Sequence, residues 1–269
     1  MKFSIYSTAY NLKAGLFDLD KSIKRFCDFA EEVVIATNTQ EDLGILLAYQ
    51  TKYPNLKVVC AEEISLSDYA FDGKLKNVAL QMCTGDFGIL LDLDEYIPLN
   101  QKPTWQSIAH RWVFSITDPF SSPAALLIPV IDLIQDTKHY KSIGFKWYLH
   151  TMRGIGSSGV QRGVVNFAKL DNGKIDITKS DTTEPIDYKG DLIPSSYLFS
   201  PELSHADLLD IMRHYNMFVV HEGWLNKEQR EKQSAFWKPH WENRSGQSSQ
   251  DADLNSLYSQ QYPTHSLYI

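Results

Sequence analysis

Phe87-Gly88-Ile89-Leu90-Leu91-Asp92-Leu93-Asp94-Glu95 is the stretch that decides the fold: an apolar run that ends in a cluster of carboxylates. A strand that is apolar along its length is covered on both faces, as central strands of parallel sheets are. Acids at the tip of such a strand need water or a counter-charge. On an extended segment side chains alternate, so Asp92 and Asp94 are expected on one face and Glu95 on the other. Two carboxylates that close repel, and a divalent cation such as Mg2+ or Mn2+ relieves the repulsion while keeping positions open for phosphate oxygens. An acidic loop facing water fits the spacing equally.

Upstream of this stretch, strand and helix signals alternate. Lys2 to Ser7 reads as a strand, and Leu16, Leu19, Ile23, Phe26, Cys27 and Ala30 then recur at helical spacing. Val33 to Ala36 is a second strand, Asp42 to Tyr53 a second helical stripe ended by Pro54-Asn55, and Leu56 to Cys60 a third strand. Asp72 is placed to cap a helix running to Cys83, before the fourth strand from Asp86 to Leu91. A β-α-β-α-β-α-β series implies an α/β fold: a mostly parallel sheet with right-handed crossovers and helices on both faces. Ligands of such sheets bind outside the carboxyl ends of the strands. Thr8, Ala9, Tyr10, Asn11, Thr37, Asn38, Ala61, Glu62, Asp92 and Asp94 belong to that edge.

The chain of 269 residues is 43% apolar and 12% aromatic, enough for one large domain or one domain with an appendage. A net charge of -7 and a pI near 5.6 give no global basic field for nucleic acid, although a local basic groove stays open. Cys27, Cys60 and Cys83 are widely spaced in apolar surroundings and read as reduced core residues. The first residues lack the apolar region of a signal peptide. The longest apolar stretch, Ala124 to Ile134, is interrupted by Pro129 and Asp132 and is shorter than a membrane span. These features together predict a soluble cytoplasmic protein.

The second half is less regular. Leu126 to Ile134 and Lys146 to Thr151 read as strands, and Gly154, Gly156, Ser157, Ser158 and Gly159 form a flexible loop between Arg153 and Arg162. Val164 to Leu170 and Lys174 to Thr178 flank a hairpin signal at Asp171-Asn172-Gly173. Asn226 to Trp237 reads as a polar helix, with Gln229 placed for a capping box and Glu228 paired to Lys232. The expected organisation is a ligand-binding part over 1–100, a second part of the same domain over 101–244 and a flexible tail over 245–269.

Three segments carry a family resemblance. Ser7-Thr8-Ala9-Tyr10-Asn11 closes the first strand; Gly73-Lys74-Leu75-Lys76-Asn77-Val78-Ala79-Leu80 and Thr84-Gly85-Asp86 lead into Asp92-Leu93-Asp94-Glu95; His221-Glu222-Gly223-Trp224 precedes Lys227, Arg230 and Lys232. In this order they resemble the family 2-like nucleotide-sugar glycosyltransferases of the GT-A fold, with the acidic pair in the place of their DxD motif. The resemblance covers residues 3–97 well and 215–244 in part.

It implies that Asp94 binds Mn2+ or Mg2+, that Asp92 meets the ribose or the metal through water, and that His221 is a further metal ligand. It implies a donor site formed by Thr8, Ala9, Tyr10, Asn11, Asn38, Asp42, Lys76, Asn77, Leu91, Asp92 and Leu93, holding a nucleoside-diphosphate sugar, with UDP-sugars expected. Lys76 and Asn77 lie near a helix start, where anions are favoured. Asp42 can accept from a nucleobase, or act only on its own helix dipole. His221 is otherwise a satisfied core histidine after Met217-Phe218-Val219-Val220.

An inverting transferase also needs a carboxylate base, for which Asp181, Glu184 and Glu95 are candidates. Ser180 to Glu184 is equally a helix cap or a turn. Trp147, Trp224, Arg153 and Arg162 are candidate acceptor contacts, as flat apolar faces and polar anchors. The acceptor is expected to be a glycan or another hydroxyl compound, a modified nucleobase in DNA included, although the net charge does not favour nucleic acid. Three other readings compete. A nucleotidyltransferase shares the doubly wound sheet, but no Gly-rich phosphate loop follows the first strand, where Tyr10 to Gly15 stand. A module that binds nucleotide sugars without turnover shares the fold. A phosphohydrolase of the haloacid dehalogenase type also carries Asp-x-Asp after a strand, but has Thr or Val where Tyr96 stands here.

Overall fold

The computed structural model describes residues 1–67, 71–115, 125–151, 168–169, 175–176, 198–199, 212–245 and 265–266. In chain order the elements are β1 (Phe3–Thr8), α1 (Leu19–Phe29), β2 (Glu32–Thr37), α2 (Gln40–Lys52), β3 (Leu56–Cys60), α3 (Phe71–Gln81), β4 (Phe87–Leu90), β5 (Glu95–Tyr96), α4 (Lys102–Ser115) and β6 (Ala125–Ile134). They continue with β7 (His139–Thr151), β8 (Ala168–Lys169), β9 (Ile175–Asp176), β10 (Leu198–Phe199), β11 (Val219–Trp224), α5 (Lys227–Ser245) and β12 (His265–Ser266).

The sheet runs β3-β2-β1-β4-β7-β6-β11-β5, with β10 beside β6 and β12 beside β7. Its first four strands are parallel, with Ile5 opposite both Val33 and Ile89. β1, β2 and β4 are buried on both faces, which is why Val33 to Ala36 of β2 and all of β4 are apolar, while β1 buries Ser4, Ser7 and Thr8 among its apolar residues. One face packs Phe3, Ile5, Val33, Ile35, Phe87 and Ile89 against Phe26 and Phe29 of α1 and Trp105 of α4. The other packs Tyr6, Val34, Ala36 and Leu90 against Phe71, Leu75 and Ala79 of α3. Helices therefore cover both faces, as the alternating sequence signals predict, and the arrangement is a Rossmann-like α/β fold. Truncating fully buried Phe29 or Trp105, which meet edge to face, would cost about 3–5 kcal/mol.

Local caps set the helix starts. The Asp18 side chain accepts from the Lys21 amide at 3.2 Å, and Thr39 from the Asp42 amide at 3.1 Å. Asp72 departs from its expected role as a cap: it lies within the first turn of α3 and binds Thr8 and Lys76. The Gln229 amide donates to Asn226 Oδ1 at 3.2 Å, but the Gln229 side chain donates to the Leu16 carbonyl rather than closing a capping box. The Glu228–Lys232 pair forms at 3.0 Å.

The second half extends the same sheet more regularly than its sequence suggests. β6 and β7 form a long hairpin, and β7 lies antiparallel to β4, so the sheet changes from parallel to mixed at that seam. β11 then inserts parallel to β6 and antiparallel to β5. β8 and β9 pair antiparallel around the Asn-Gly turn signal. In the tail, His265 and Ser266 pair with Tyr140 and His139 of β7. The three cysteines are free and half-buried, and burial pushes the Cys27 and Cys83 thiols up to about 12, which keeps them protonated. Among the described residues no helix is long and apolar enough to cross a membrane.

Candidate active site

β4 ends at Leu90, and the chain turns immediately. The Glu95 amide donates to the Asp92 carbonyl at 2.9 Å, and the Asp92 amide to Glu95 Oε2 at 3.0 Å. The acidic cluster is thus a tight turn and not an extended strand tip. This corrects the expectation that Asp92 and Asp94 share a face: Asp92 is aimed at α3, and Asp94 at β11. Glu95, a candidate base, is 2% exposed and holds the turn. From α1, Ser22 donates to the Leu93 carbonyl and braces the same turn.

Asp94 meets His221 because β5 pairs with β11. Glu95 lies opposite His221, and the Glu222 amide donates to the Asp94 carbonyl at 2.7 Å. His221 Nε2 stands 3.4 Å from Asp94 Oδ2. On the other side of the ring, Nδ1 lies 2.7 Å from Asp132 Oδ1, because β6 runs parallel to β11 with Asp132 in register with His221. Burial works against the imidazolium, but Asp94 and Asp132 together overcome it and lift His221 to about 10.

Gly223, two residues on, leaves room for this pair. A Cβ there would stand 2.5 Å from His221 Nε2 and 2.9 Å from Asp94 Oδ2. Between them, Glu222 turns away to α1, where Arg25 binds both of its oxygens at 2.8 and 3.3 Å and Lys21 adds a contact at 2.7 Å.

Lys76 is buried and placed between two acids, 2.8 Å from Asp72 and 2.7 Å from Asp92. Burial opposes its charge, and the two carboxylates more than restore it, so its pKa is raised. Thr8 Oγ1 donates to Asp72 at 2.9 Å, which links β1 to the set. The Lys76 charge is thus matched inside the protein by Asp72 and Asp92.

The other expected donor-site residues gather around the β1 loop. Ala9 is fully buried and its amide continues the ladder to Ala36. Asn11 adopts a left-handed conformation, and Asp42 fixes the turn by accepting from the Asn11 and Leu12 amides, each at 2.9 Å. Asp42 is thus a loop anchor with both oxygens engaged. Asn38 donates to the Ile64 carbonyl at 3.0 Å, while its Oδ1 and that of Asn77 are buried without a hydrogen-bond partner. Leu91 and Leu93 are core residues.

α5 closes over this edge. Phe236 stacks on Tyr10 at 5.6 Å, and Trp237 stacks on Phe71 at 5.6 Å. Gln233, 2% exposed, donates to the Leu16 carbonyl at 3.1 Å and approaches Asp94 at 3.4 Å.

The acceptor expectations fare differently. Trp224 is 7% exposed, with the Lys141 ammonium 3.5 Å and the Arg230 guanidinium 3.9 Å from its ring. That corrects its reading as an acceptor platform: it is a packing residue in cation–π contacts. Trp147 lies on β7 in register with Leu127. Arg153, Arg162, Asp181 and Glu184 lie outside the described residues. Two residues were missed by sequence reasoning. Asp132 had a signal, an acid interrupting an apolar strand, whereas Gln233 had none.

A divalent ion fits part of this geometry. Asp94 Oδ2 and His221 Nε2, an oxygen and an imidazole nitrogen, face each other at a separation that one small cation spans. Asp92 does not join them, and among the described residues no three His, Cys, Asp or Glu side chains form a metal cage. Two protein ligands suit Mg2+ or Mn2+, which commonly complete their shell with water and phosphate oxygens.

No family model matches the chain, and no curated protein does. Among solved structures it is similar to the mannosyltransferase PcManGT from Pyrobaculum calidifontis in complex with GDP-Man and Mn2+, at 17% identity and a TM-score of 0.32, over 49% of this chain and 35% of that one. It is similar to S. aureus TarS 1-349 in complex with UDP-GlcNAc, at 17% identity and a TM-score of 0.37, over 96% of this chain and 70% of that one. A third is HddC from Yersinia pseudotuberculosis, at 15% identity and a TM-score of 0.30, over 59% of this chain and 75% of that one. The fold is read from the sheet's own order, and the chemistry below from the site's own residues.

Proposed function

We propose that this chain is a metal-dependent glycosyltransferase that moves a sugar from a nucleoside diphosphate, uridine-linked in our reading, to a polar acceptor such as a glycan or a modified nucleobase. The convergence of Asp94 and His221 at the carboxyl edge of a parallel sheet carries this reading. Mn2+ or Mg2+ held by these two residues would stabilise the negative charge that grows on the departing diphosphate.

The chain's own groups prepare the edge for that charge. The Asp92–Glu95 turn, braced by Ser22 and Glu222, fixes the Asp94 backbone. Asp92 keeps a partly exposed carboxylate beside Lys76, suited to a ribose hydroxyl. Glu95 is committed to the turn, which leaves Asp181 and Glu184 as the proposed bases.

Incubation with a panel of nucleotide sugars, Mn2+ and mixed acceptors, followed by mass spectrometry, tests the reading. Wild type releases nucleoside diphosphate with a matching gain of mass on one acceptor, and Asp94→Asn abolishes both with the fold retained. Metal-dependent binding without release would leave a binding module, and phosphate release from monoesters alone would put a phosphohydrolase in its place.

A further inference from the structure

Asp132 is an acid in the middle of an apolar strand. Its neighbours Ile131 and Leu133 are 0% and 2% exposed, and the strand continues into buried Ile134. An acid costs such a strand stability unless something on the same face uses it. What it meets is His221, its register partner on β11, although the two stand 89 positions apart in sequence.

The pairing is fixed by backbone. β6 and β11 hold Val130 to Val219, Ile131 to Val220 and Asp132 to His221 in unbroken parallel register. The register shifts only after His221, before Ile134 meets Trp224. Neighbouring residues in register on adjacent strands project to the same side, so the Asp132 carboxylate and the His221 ring come together without a long search by either side chain.

We infer that Asp132 is a positioning residue for the proposed metal site, holding Nδ1 of His221 so that Nε2 faces Asp94. This inference rests on the reading of Asp94 and His221 as metal ligands. With Nδ1–H donated to Asp132, a metal ion that displaces the Nε2 proton would find the ring's lone pair on Nε2, where a ligand needs it. The 2.7 Å contact fixes the ring plane, and the 3.4 Å gap to Asp94 lies on the ring's other side. Gly223 keeps that side clear, since a Cβ would stand 2.5 Å from Nε2. Asp132 acts on the proposed metal site through the His221 ring that it holds.

Mn2+ binding to the whole chain, counted from the electron paramagnetic resonance signal of free Mn2+, tests the inference in a double-mutant cycle. D132A weakens Mn2+ binding about 10–100-fold, as loss of a histidine's outer partner does. H221A weakens it at least as much, and D132A adds nothing further in the H221A background. Circular dichroism reports folding of each variant, and D132S, too short to reach Nδ1, completes the cycle if D132A loses its fold. Wild-type affinity in the Asp132 variant, or an equal further loss in the H221A background, overturns the positioning role. Failure of the metal reading looks different: wild type binds no Mn2+, or D94N and H221A bind it unchanged.

Discussion

Lys76 and Asp92 are joined at 2.7 Å, and this contact ties the turn after β4 to the first half of α3. Asp72 takes the same ammonium at 2.8 Å, so one buried cation serves two acids from different elements. Removing it leaves buried Asp72 and half-buried Asp92 without their counter-charge. Lys76→Met is expected to lower unfolding stability by about 3 kcal/mol, the lower end for breaking a buried pair, since Asp92 is partly solvated. Urea denaturation of the ligand-free protein measures it. A lysine kept only for a diphosphate would leave that stability unchanged.

Glu32 gives the fold its acid sensitivity. Its burial disfavours the carboxylate, but hydrogen bonds from Lys57, Ser4 and Thr84 more than compensate and hold its pKa down at about 2, from an ordinary value of 4.5. A depressed folded-state pKa contributes stability that is fully present above about pH 4.5 and is lost as pH falls towards 2. Glu32→Gln should therefore be less stable than wild type at neutral pH, with the gap narrowing through that window. Unfolding free energies measured from pH 6 down to pH 2 check both the sign and the range.

The parallel half of the fold was legible because its strands are buried on both faces, and burial writes itself into sequence as unbroken apolar runs such as Val33 to Ala36. The site was legible only in part. Asp94 is marked by the acidic spacing as well as by the family resemblance and His221 by the resemblance alone, while their meeting depends on β5 pairing with β11, two short segments with no local signature. Alternation misplaced Asp92 because it assumes an extended chain, and the chain turns one residue earlier. Asp132 shows as an anomaly in an apolar strand, but its partner is set by register between distant strands, which composition does not encode. Trp224 read as a platform because sequence cannot tell an exposed indole from one between Lys141 and Arg230.

α5 is held over the edge of the sheet by aromatic contacts more than by its polar sequence. Phe236 stacks on Tyr10 and meets Trp237 edge to face at 5.5 Å. Phe236→Ala should cost about 2 kcal/mol, combining lost apolar burial with the ring pair. The loss should also speed amide hydrogen exchange across Gln229 to Trp237 before the parallel strands are affected. Unchanged exchange there would mean that Trp237 on Phe71, with Gln229 and Gln233 on the Leu16 carbonyl, holds the helix without Phe236.

Gly223 separates the site's demands from the fold's. Its φ is not in the left-handed region, so alanine meets no backbone strain there. What alanine meets is the site itself: the added methyl would stand 2.5 Å from His221 Nε2, 2.9 Å from Asp94 Oδ2 and 3.1 Å from His221 Cε1. Contacts that close force the imidazole and the carboxylate apart, and the ring can yield only by loosening its bond to Asp132. Gly223→Ala is therefore expected to weaken Mn2+ binding by at least about tenfold, the scale set by losing a histidine's orientation. Circular dichroism of the metal-free variant should still be that of the folded protein, while its melting temperature falls, because a ring that yields gives up its bond to Asp132. Calorimetric Mn2+ titration beside that melting curve checks the pair of outcomes. A variant that binds Mn2+ normally would show that the ion is held elsewhere than between Asp94 and His221.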